Sequence, residues 1–381
     1  MTKKMDAPAR YCKAKAIPAV ALTKLPRIGH VADELELIHI PAHRPSARQV
    51  TVQLVASSMH IDEIYAAQGT ALGRFYGPKN ISPAEPYLMG TSVSGVVVAI
   101  GKYVIRFKVG DEVSVIPNEL GENGSWATYR NVLERYVMPK PPELTHVEAS
   151  SLMLSSCVAW GALETANVKA GDRCMVVGAS GAIGSVLVQL LKTKSAYVVG
   201  VCSAANSDLV RTLGADEIID YQQSGFTVHR ERRIDKIFDL VGGLRVENAA
   251  YRWLKQDGEF VTMVGPVRYL GERKLTLKEF TRAACYVAWR SIKTRWRGPK
   301  YTFCATIPRR VAPKAMQFCC EHGIRSPIER EIPFELGPVQ DAIRLLTTHR
   351  ARGRVVINFE LAAQRAVSQE NKYQCKRAVM K

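Results

Sequence analysis

Residues 176–184 read Val176-Val177-Gly178-Ala179-Ser180-Gly181-Ala182-Ile183-Gly184, and they decide which fold the rest of the chain must fit. An apolar run from Cys174 precedes them and apolar residues at helical spacing follow, which indicates a strand, a glycine turn and a helix. Gly181 lets the backbone approach a pyrophosphate, and Gly184 lets the helix pack closely on the strand. Because the N-terminus of such a helix attracts phosphate, the stretch predicts a dinucleotide-binding turn, with Ala179 replacing the usual first glycine.

The next apolar run, residues 196–202, favours a dinucleotide-binding turn at 176–184 over an ordinary strand-to-helix turn of an α/β protein. It shows no alternation of apolar and polar residues, as expected of a buried parallel strand. A site that prefers NAD places Asp or Glu at the end of this strand, to bind the ribose 2′-hydroxyl. This chain has Ser203 and Asn206 there, and Tyr221 ends the following strand. We therefore predict that Ser203 and Asn206 donate to a 2′-phosphate and that the cofactor is NADPH.

Composition is typical of a globular protein that buries a large core. A chain of 381 residues with 47% hydrophobic and 23% charged residues suggests two domains. No apolar run approaches the ~20 residues that a membrane span requires. Residues 1–16 are basic and lack the apolar core of a secretory signal. Nine cysteines without repeated spacing indicate reduced thiols, so we predict a cytoplasmic location and leave an organellar presequence as the alternative.

Much of the net charge of +18 is concentrated between Arg268 and Lys300, where ten Lys and Arg face only two glutamates. Leu277, Phe280, Ala284, Val287 and Ala288 recur there at helical spacing. The preferred interpretation is a helix that covers a sheet with this stripe and turns a basic face to solvent. The alternative is a basic amphipathic helix on acidic lipid, a peripheral membrane contact through residues 275–297. Charge alone does not indicate a nucleic-acid partner, and we expect none.

The chain divides into three segments. Residues 1–153 carry short β-type runs separated by Gly and Pro, and residues 154–306 alternate strands with helices. Such alternation predicts a doubly wound parallel sheet. Residues 307–381 return to a helix, a strand near 333–336, a helix at 338–347, a strand at 354–359 and a polar, basic tail that we expect to fray.

Several motifs in this order make the chain resemble the medium-chain dehydrogenase/reductase superfamily. Besides the glycine loop, they comprise Gly-Thr-Ser-Val-Ser-Gly-Val-Val at 90–97, Phe-Lys-Val-Gly-Asp-Glu-Val at 107–113, Ala159-Trp160, Leu-Gly-Ala-Asp at 213–216, Asp-Leu-Val-Gly-Gly at 239–243 and His-Arg-Ala-Arg-Gly-Arg-Val-Val-Ile at 349–357. The resemblance covers about residues 56–359. It is to the zinc-free quinone-oxidoreductase branch, and most of all to the reticulon-interacting oxidoreductases.

The resemblance implies an α/β fold: a GroES-like β-rich catalytic domain made from both chain ends plus an inserted, doubly wound parallel-sheet Rossmann domain. Residues 1–153 and 307–381 would form the former, and 154–306 the latter. Substrate would enter a cleft between them, and we expect a homodimer without a transmembrane segment. The predicted cofactor-binding residues are Ser180, Gly181, Ala182, Ile183, Gly184, Ser203, Asn206, Tyr221, Val241, Val264, Gly265 and Arg354.

Zinc-dependent relatives carry a Cys ligand, then Gly-His-Glu, then a second Cys. The resemblance places His60 at the first ligand position, Thr91 and Ser92 at the His-Glu pair, and Ser155 at the second Cys. His60 alone suits zinc, so we predict no metal. Cys157 is interpreted as a small buried residue.

Hydride addition to a quinone or an α,β-unsaturated carbonyl is the simplest chemistry without a metal. Tyr65 matches a pocket tyrosine of quinone oxidoreductases, and we predict Tyr65 and His60 as catalytic, His60 as a proton donor or a structural hydrogen-bonding residue. Asp62 and Glu63 would support them. The first alternative is an enoyl-thioester reductase, although the acid tyrosine of those enzymes maps to Ala71 and only Tyr76 remains nearby. The second is a catalytically weak NADPH-binding regulatory protein.

Overall fold

A computed structural model describes residues 15–71, 73–116, 124–223, 233–268, 270–294 and 298–361. The chain forms two compact units. The β-rich unit comprises Met1–Ser151, Arg330–Arg350 and Val355–Lys381, and the parallel-sheet unit comprises Leu152–Glu329 and Ala351–Arg354. The expectations for the N-terminal segment and for the fraying of residues 362–381 concern positions outside the described ranges. Within those ranges, no helix has both the length and the apolar character needed to cross a bilayer.

Strands dominate the β-rich unit, and labels follow chain order. Its strands are β1 (Ala16–Leu22), β2 (Leu35–Pro41), β3 (Gln49–Ser58), β4 (Tyr87–Leu88), β5 (Ser92–Ile100), β6 (Glu112–Val115), β7 (Tyr129–Leu133) and β8 (Val137–Pro139), with β15 (Ile328–Pro333) and β16 (Arg354–Asn358) from the C-terminal part. Its helices are α1 (Val31–Glu34), α2 (Ile61–Gln68), α3 (Gly73–Tyr76) and α10 (Leu336–Thr347), and α4 (His146–Ala166) begins in it.

Two sheets build this unit. One has the order β2-β1-β4, and the larger has the order β15-β16-β3-β5-β6-β8, with β7 also paired to β3. Alternating residues of β3 and β5, such as Val50, Val52 and Val97, are fully buried in one apolar cluster. A second cluster joins α2 and α10 through residues such as Ile64 and Val339. The catalytic candidates on α2 therefore stand on a helix that is fixed by the core.

The parallel-sheet unit contains β9 (Arg173–Val177), β10 (Tyr197–Cys202), β11 (Glu217–Asp220), β12 (Ile234–Asp239), β13 (Leu254–Thr262) and β14 (Lys300–Phe303). Between and after them lie α5 (Ala182–Thr193), α6 (Ser207–Thr212), α7 (Leu244–Ala250), α8 (Leu277–Lys293) and α9 (Pro308–Glu321). The sheet order is β11-β10-β9-β12-β13-β14, and all neighbours are parallel. This is the dinucleotide-binding strand order, and it switches direction between β9 and β12. The predicted doubly wound sheet is confirmed.

Some boundaries differ from the sequence interpretation. The parallel-sheet unit begins at Leu152 rather than 154 and extends to Glu329 rather than 306, so α9 belongs to it by its contacts. The strand expected near 333–336 lies at Ile328–Pro333, because α10 already begins after its N-cap residue Glu335. The edge strand β14 was not anticipated, since it is short and follows the basic segment.

Helix α8 forms within the basic segment, but the expected packing of its apolar stripe was wrong. Of the five stripe residues, only Val287 packs against the apolar core, and Leu277, Phe280, Ala284 and Ala288 are exposed. The face toward the sheet instead presents Tyr286 and Arg290, which bind the buried Glu247 carboxylate. Specific polar contacts therefore decided the rotation of this helix.

Candidate functional site

The glycine turn joins β9 to α5. Gly178, directly after the strand, has a φ of +88° and so takes the sharp turn one residue before Ala179. A Cβ atom at Gly184 would lie 2.2 Å from the Gly178 carbonyl oxygen, so close packing excludes any side chain there. Gly181 is the N-cap of α5 and has no side-chain cap, so the first N–H groups of the helix, at Ala182, Ile183 and Gly184, point toward the turn.

Two contacts brace this turn from other segments of the same unit. The Asn206 side-chain amide donates to Ser180 Oγ at 3.0 Å, which joins two of the predicted cofactor-binding residues. The Gly353 N–H donates to the Ser180 carbonyl at 3.2 Å, and Gly181 forms a parallel bridge with Gly353. Gly353 has a φ of +82°, and a Cβ atom there would lie 2.1 Å from the Pro327 carbonyl oxygen, so only glycine fits this position. Sequence reasoning treated Gly353 only as part of a motif.

Arg354 is adjacent to Gly353 and only 6% exposed. Its guanidinium donates to Ser155 Oγ from Nε at 3.0 Å and from Nη2 at 2.8 Å. The resemblance places Ser155 where zinc-dependent relatives carry a Cys. A fixed positive charge therefore sits beside that hydroxyl, next to the segment that pairs with the glycine turn.

The end of β10 carries the residues expected to choose the cofactor. Ser203 is half-buried and begins the short 3₁₀ turn Ala204–Asn206. Asp220 lies opposite Cys202 in the strand register, and its carboxylate accepts from the Gln222 N–H at 3.0 Å. Tyr221 is 56% exposed, and its N–H donates to the Cys202 carbonyl at 3.2 Å. Ser203, Asn206 and Tyr221 thus converge at the carboxyl end of β10, although Asp220 is an acid that sequence reasoning did not weigh.

A buried network shapes the loops after β12 and β13. Asp239 is 1% exposed, and its Oδ1 accepts from the N–H groups of Val241 at 3.0 Å and Gly242 at 2.9 Å. Its Oδ2 accepts from the Thr262 hydroxyl at 2.9 Å. Thr262 Oγ1 in turn accepts from the Gly265 N–H at 2.9 Å.

This network holds three predicted cofactor-binding positions, because Thr262 Oγ1 also accepts from the Val264 N–H at 3.2 Å. Burial raises the pKa of Asp239, and the donors of Gly242, Val241 and Thr262 oppose that rise. Sequence reasoning missed Asp239 and Thr262 as supporting residues. The sequence did offer two signals. Asp239 is an acid at the end of a buried strand, shortly before two glycines, and Thr262 is a threonine at the end of the next buried strand.

In the β-rich unit, the structure places Tyr65 beside a residue that was not predicted. Tyr65 is 6% exposed, and its Oη is hydrogen-bonded to His349 Nε2 at 3.3 Å. His349 is exposed and adopts a φ of +55°, which few non-glycine residues tolerate. His60 is 3% exposed and is the N-cap residue of α2, and Tyr65 lies in the second turn of that helix. Tyr65 and His349 therefore form a phenol–imidazole pair.

Neighbouring acids support this helix. Glu63 is buried, and its Oε1 accepts from the Thr91 N–H at 2.8 Å and from the Thr91 hydroxyl at 2.7 Å. This contact ties α2 to the segment that carries the metal ligands in zinc-dependent relatives. Burial, and then the charge of Asp62, raises the pKa of Tyr76, which keeps that phenol protonated. Ala71, at the position of the enoyl-thioester acid, is buried with a φ of +47°.

Three of the positions that the resemblance aligns with zinc-site residues of relatives, Thr91, Ser92 and Ser155, carry hydroxyls here. Ser92 and Ser155 are both buried, and no group of three or more potential metal-binding side chains occurs among the residues that the structure describes. Burial raises the pKa of Cys157 to about 12, which fits a small core residue rather than a thiolate.

Two family models and several sequence relatives match this chain. The family model for the alcohol dehydrogenase GroES-like domain matches residues 46–142, and the model for zinc-binding dehydrogenase matches residues 213–357. The chain is 32% identical over 346 residues to the mouse (Mus musculus) mitochondrial NAD(P)H oxidoreductase RTN4IP1, covering 85% of this chain and 83% of the relative. It is 28% identical over 317 residues to a tomato (Solanum lycopersicum) 2-methylene-furan-3-one reductase, covering 81% and 71%.

The fold is shared with the quinone oxidoreductase of Coxiella burnetii at a TM-score of 0.73 and 22% identity, over 90% of this chain and 99% of that structure. The predicted combination of a GroES-like domain and a parallel-sheet nucleotide-binding domain is thereby confirmed. The chain is an oxidoreductase that belongs to the medium-chain dehydrogenase/reductase superfamily, in its quinone-oxidoreductase branch.

Proposed function

We propose that this protein is an NADPH-dependent reductase that transfers hydride to a quinone or an α,β-unsaturated carbonyl without zinc. The observation that carries the proposal is the glycine turn at the switch between β9 and β12, with the loops after β12 and β13 organised beside it. Ligands of open α/β sheets bind at such a switch point. The tomato relative is named for reduction of an enone, which supports the substrate class.

Ser203 and Asn206 support NADPH as the cofactor. The residues that follow β10, Ser203 through Asn206, include no carboxylate to repel a 2′-phosphate. Asn206 holds Ser180 at the turn, and Arg354 would add positive charge for the pyrophosphate. The cofactor supplies hydride when it is bound. This unit's residues would fix its position with the N–H groups of Ala182, Ile183 and Gly184 and with the loops that carry Val241, Val264 and Gly265.

The β-rich unit would supply the proton. Hydride that arrives at the β-carbon pushes charge onto the carbonyl oxygen, and a neutral donor stabilises that oxygen. Tyr65 is suited to this role, since its Oη is bonded to His349. Because His349 is exposed, it can exchange protons with solvent and restore the Tyr65 proton after each turnover. His60 remains a second candidate donor or a hydrogen-bonding residue that orders α2.

Zinc independence is supported by the residues that replace the ligands. Thr91 and Ser92 stand at the His-Glu pair, and Thr91 is bound by Glu63. The Arg354 guanidinium is hydrogen-bonded to Ser155 Oγ, and its positive charge would repel a zinc ion at that position. We expect the purified protein to hold far less than one zinc per chain and to keep its activity in chelator.

We further propose that the protein is a homodimer in a reducing compartment, the cytoplasm or the interior of an organelle. The seven cysteines among the described residues are all free thiols, which suits such a compartment. The mouse relative is named as mitochondrial. Light scattering of the purified protein tests the dimer, and imaging of a tagged chain tests the location.

The test of the proposed reaction is NADPH oxidation with an enone, 9,10-phenanthrenequinone, crotonyl-CoA or no acceptor. We expect turnover with the enone and the quinone. Tyr65→Phe and His60→Ala should each lower enone turnover by ~10²–10³ with NADPH affinity nearly unchanged, because each loses a donor to the developing oxyanion. The quinone accepts hydride more readily and should be less affected.

His349→Gly separates the proton relay from backbone strain, since glycine accepts the positive φ. This variant should lower enone turnover. The double variant with Tyr65→Phe should have an enone turnover only slightly below that of Tyr65→Phe alone, because the two residues act in one relay. Tyr136→Phe is the matched control, because Tyr136 is also buried in this unit. Wild-type rates in all the variants would make these residues structural. Turnover of crotonyl-CoA alone would favour the enoyl-thioester alternative, and no turnover with any acceptor would favour the regulatory one.

A further inference from the structure

Helix α8 exposes an apolar face that the fold of its own unit does not use. Leu277 is 63% exposed and Ile292 is 61% exposed, and Ala284 and Ala288 between them are exposed as well. At 3.6 residues per turn these four side chains fall within about 80° of arc, so they form one continuous strip. We name Leu277, Ala284, Ala288 and Ile292 the apolar strip.

The opposite face of α8 attaches the helix to the sheet. The Tyr286 hydroxyl donates to Glu247 Oε1 at 2.8 Å, and Arg290 Nη2 lies 3.1 Å from the same oxygen. The Arg290 guanidinium also lies 4.5 Å from the Tyr251 ring centroid, and Val287 packs against the apolar core. These contacts hold α8 in place, so the apolar strip is available for a partner outside the unit.

A row of cations borders the apolar strip. Lys278, Arg282 and Lys293 are exposed on one side of it, and we name them the basic flank. Trp289 is 51% exposed among them, and Lys293 Nζ lies 4.6 Å from its ring centroid. An exposed indole between apolar and cationic side chains matches the composition of helices that lie at a membrane surface.

The helix is formed before any partner arrives. Thr276 and Glu279 make a complete capping box at its N-terminus, and Arg273 binds the Glu279 carboxylate at 2.6 Å. This acid is therefore neutralised, and no other acid occurs between Leu277 and Lys293. A docking partner would not have to order the helix, which lowers the free-energy cost of binding.

We propose that α8 docks the protein on the surface of an anionic lipid bilayer, with the apolar strip buried at the acyl boundary and the basic flank on the headgroups. Charge complementarity favours lipid over a second copy of the chain. Pairing two α8 helices would bring together two basic flanks of a protein whose net charge is +18, whereas an acidic surface attracts them. Binding would be peripheral and reversible, since the helix lies along the surface.

Sedimentation of the full-length protein with phosphatidylcholine vesicles, with and without phosphatidylglycerol, tests this proposal. We expect binding only to the anionic vesicles, weakened by high salt, with a blue shift of indole fluorescence that Trp289→Phe reduces. The triple variant Lys278→Gln/Arg282→Gln/Lys293→Gln should bind at least about tenfold more weakly, because each basic residue near an acidic membrane contributes separately. Leu277→Ser/Ile292→Ser should also weaken binding and leave NADPH oxidation unchanged.

The matched control is Lys24→Gln/Lys102→Gln/Lys169→Gln, which removes three exposed charges elsewhere. It should bind like the wild type. An equal loss of vesicle binding in both triple variants would show that only the overall charge matters, and it would overturn the proposal. Vesicle binding by Leu277→Ser/Ile292→Ser at the wild-type level would also overturn the proposal. A lower molar mass of this double variant in light scattering would overturn it as well, because the apolar strip would then contact a second copy of the chain.

Discussion

At the scale of single residues, the proposed choice of NADPH rests on one position at the end of β10. Ser203 is half-buried where an acidic residue would bind the ribose hydroxyls of NADH. Its neighbour Asn206 is engaged with Ser180, so the amide is oriented before the cofactor arrives. Asp220 is the acid closest in register, and its carboxylate caps the Gln222 turn.

Ser203→Asp should reverse the proposed preference from NADPH to NADH. The new carboxylate repels a 2′-phosphate and accepts from a 2′-hydroxyl, so we expect at least about a tenfold change in the ratio of dissociation constants. Titration of both cofactors by fluorescence measures it. Ala205→Asp, which adds the same charge at an exposed site on the same turn, should change the ratio far less. Tighter binding of NADH by the wild type would refute the NADPH assignment.

At the scale of elements, the cofactor loops depend on side chains inside the sheet rather than on the loops themselves. Asp239 ends β12 and Thr262 ends β13, and their mutual hydrogen bond joins the two strand ends. Asp239 Oδ1 and Thr262 Oγ1 each accept from two backbone N–H groups of an adjoining loop. Losing one hydroxyl therefore affects both loops at once.

Thr262→Val should lower both stability and cofactor affinity. It removes the partner of the Val264 and Gly265 N–H groups and of Asp239 Oδ2, and buried polar groups left without partners cost ~1–3 kcal/mol each. We expect a lower melting temperature and about tenfold weaker NADPH binding, measured by calorimetry and titration. Thr262→Ser keeps the hydroxyl and should stay close to the wild type. Equal behaviour of the two variants would show that the hydroxyl does not organise the loops.

At the scale of the whole molecule, we expect acid stability to depend in part on a half-buried histidine of the β-rich unit, His146. Burial lowers the pKa of His146 to about 4 from 6.5; the Glu112 carboxylate opposes this, and the Lys140 charge adds to it. His146 Nδ1 is hydrogen-bonded to Ser94 Oγ at 2.8 Å, and His146 is the first residue of α4, where a positive charge is also unfavourable.

Between pH 6.5 and about 4 the unfolded chain binds a proton at His146 that the folded chain does not. The contribution is therefore complete above pH 6.5, is lost as the pH falls through this window, and amounts to about 2–3 kcal/mol. His146→Asn should reduce the acid-induced fall in melting temperature by about 5–10 °C, measured by calorimetry at several pH values. The exposed His39→Asn is the control and should follow the wild type. If the melting temperature of His146→Asn falls with acid as much as that of the wild type, the role assigned to His146 is wrong.

Local pattern by itself determined the parallel-sheet unit. The strand, glycine turn and helix at 174–191 and the uniformly apolar runs of β10, β12 and β13 are set by neighbours in sequence, and burial on both faces of a parallel sheet permits few other patterns. The turn glycines at 181 and 184 were therefore readable without coordinates, whereas the comparison of Thr91, Ser92 and Ser155 with zinc ligands came from the resemblance and stays a prediction.

Only the tertiary structure decided which side chains meet. His349 lies 284 positions from Tyr65 along the chain, so no local motif could show that their side chains meet. The Asp239–Thr262 bond and the pairing of Gly353 with the glycine turn likewise join distant segments. The orientation of α8 was misjudged for the same reason: periodicity shows that a helix has an apolar face, but its polar contacts to Glu247 decide where that face points.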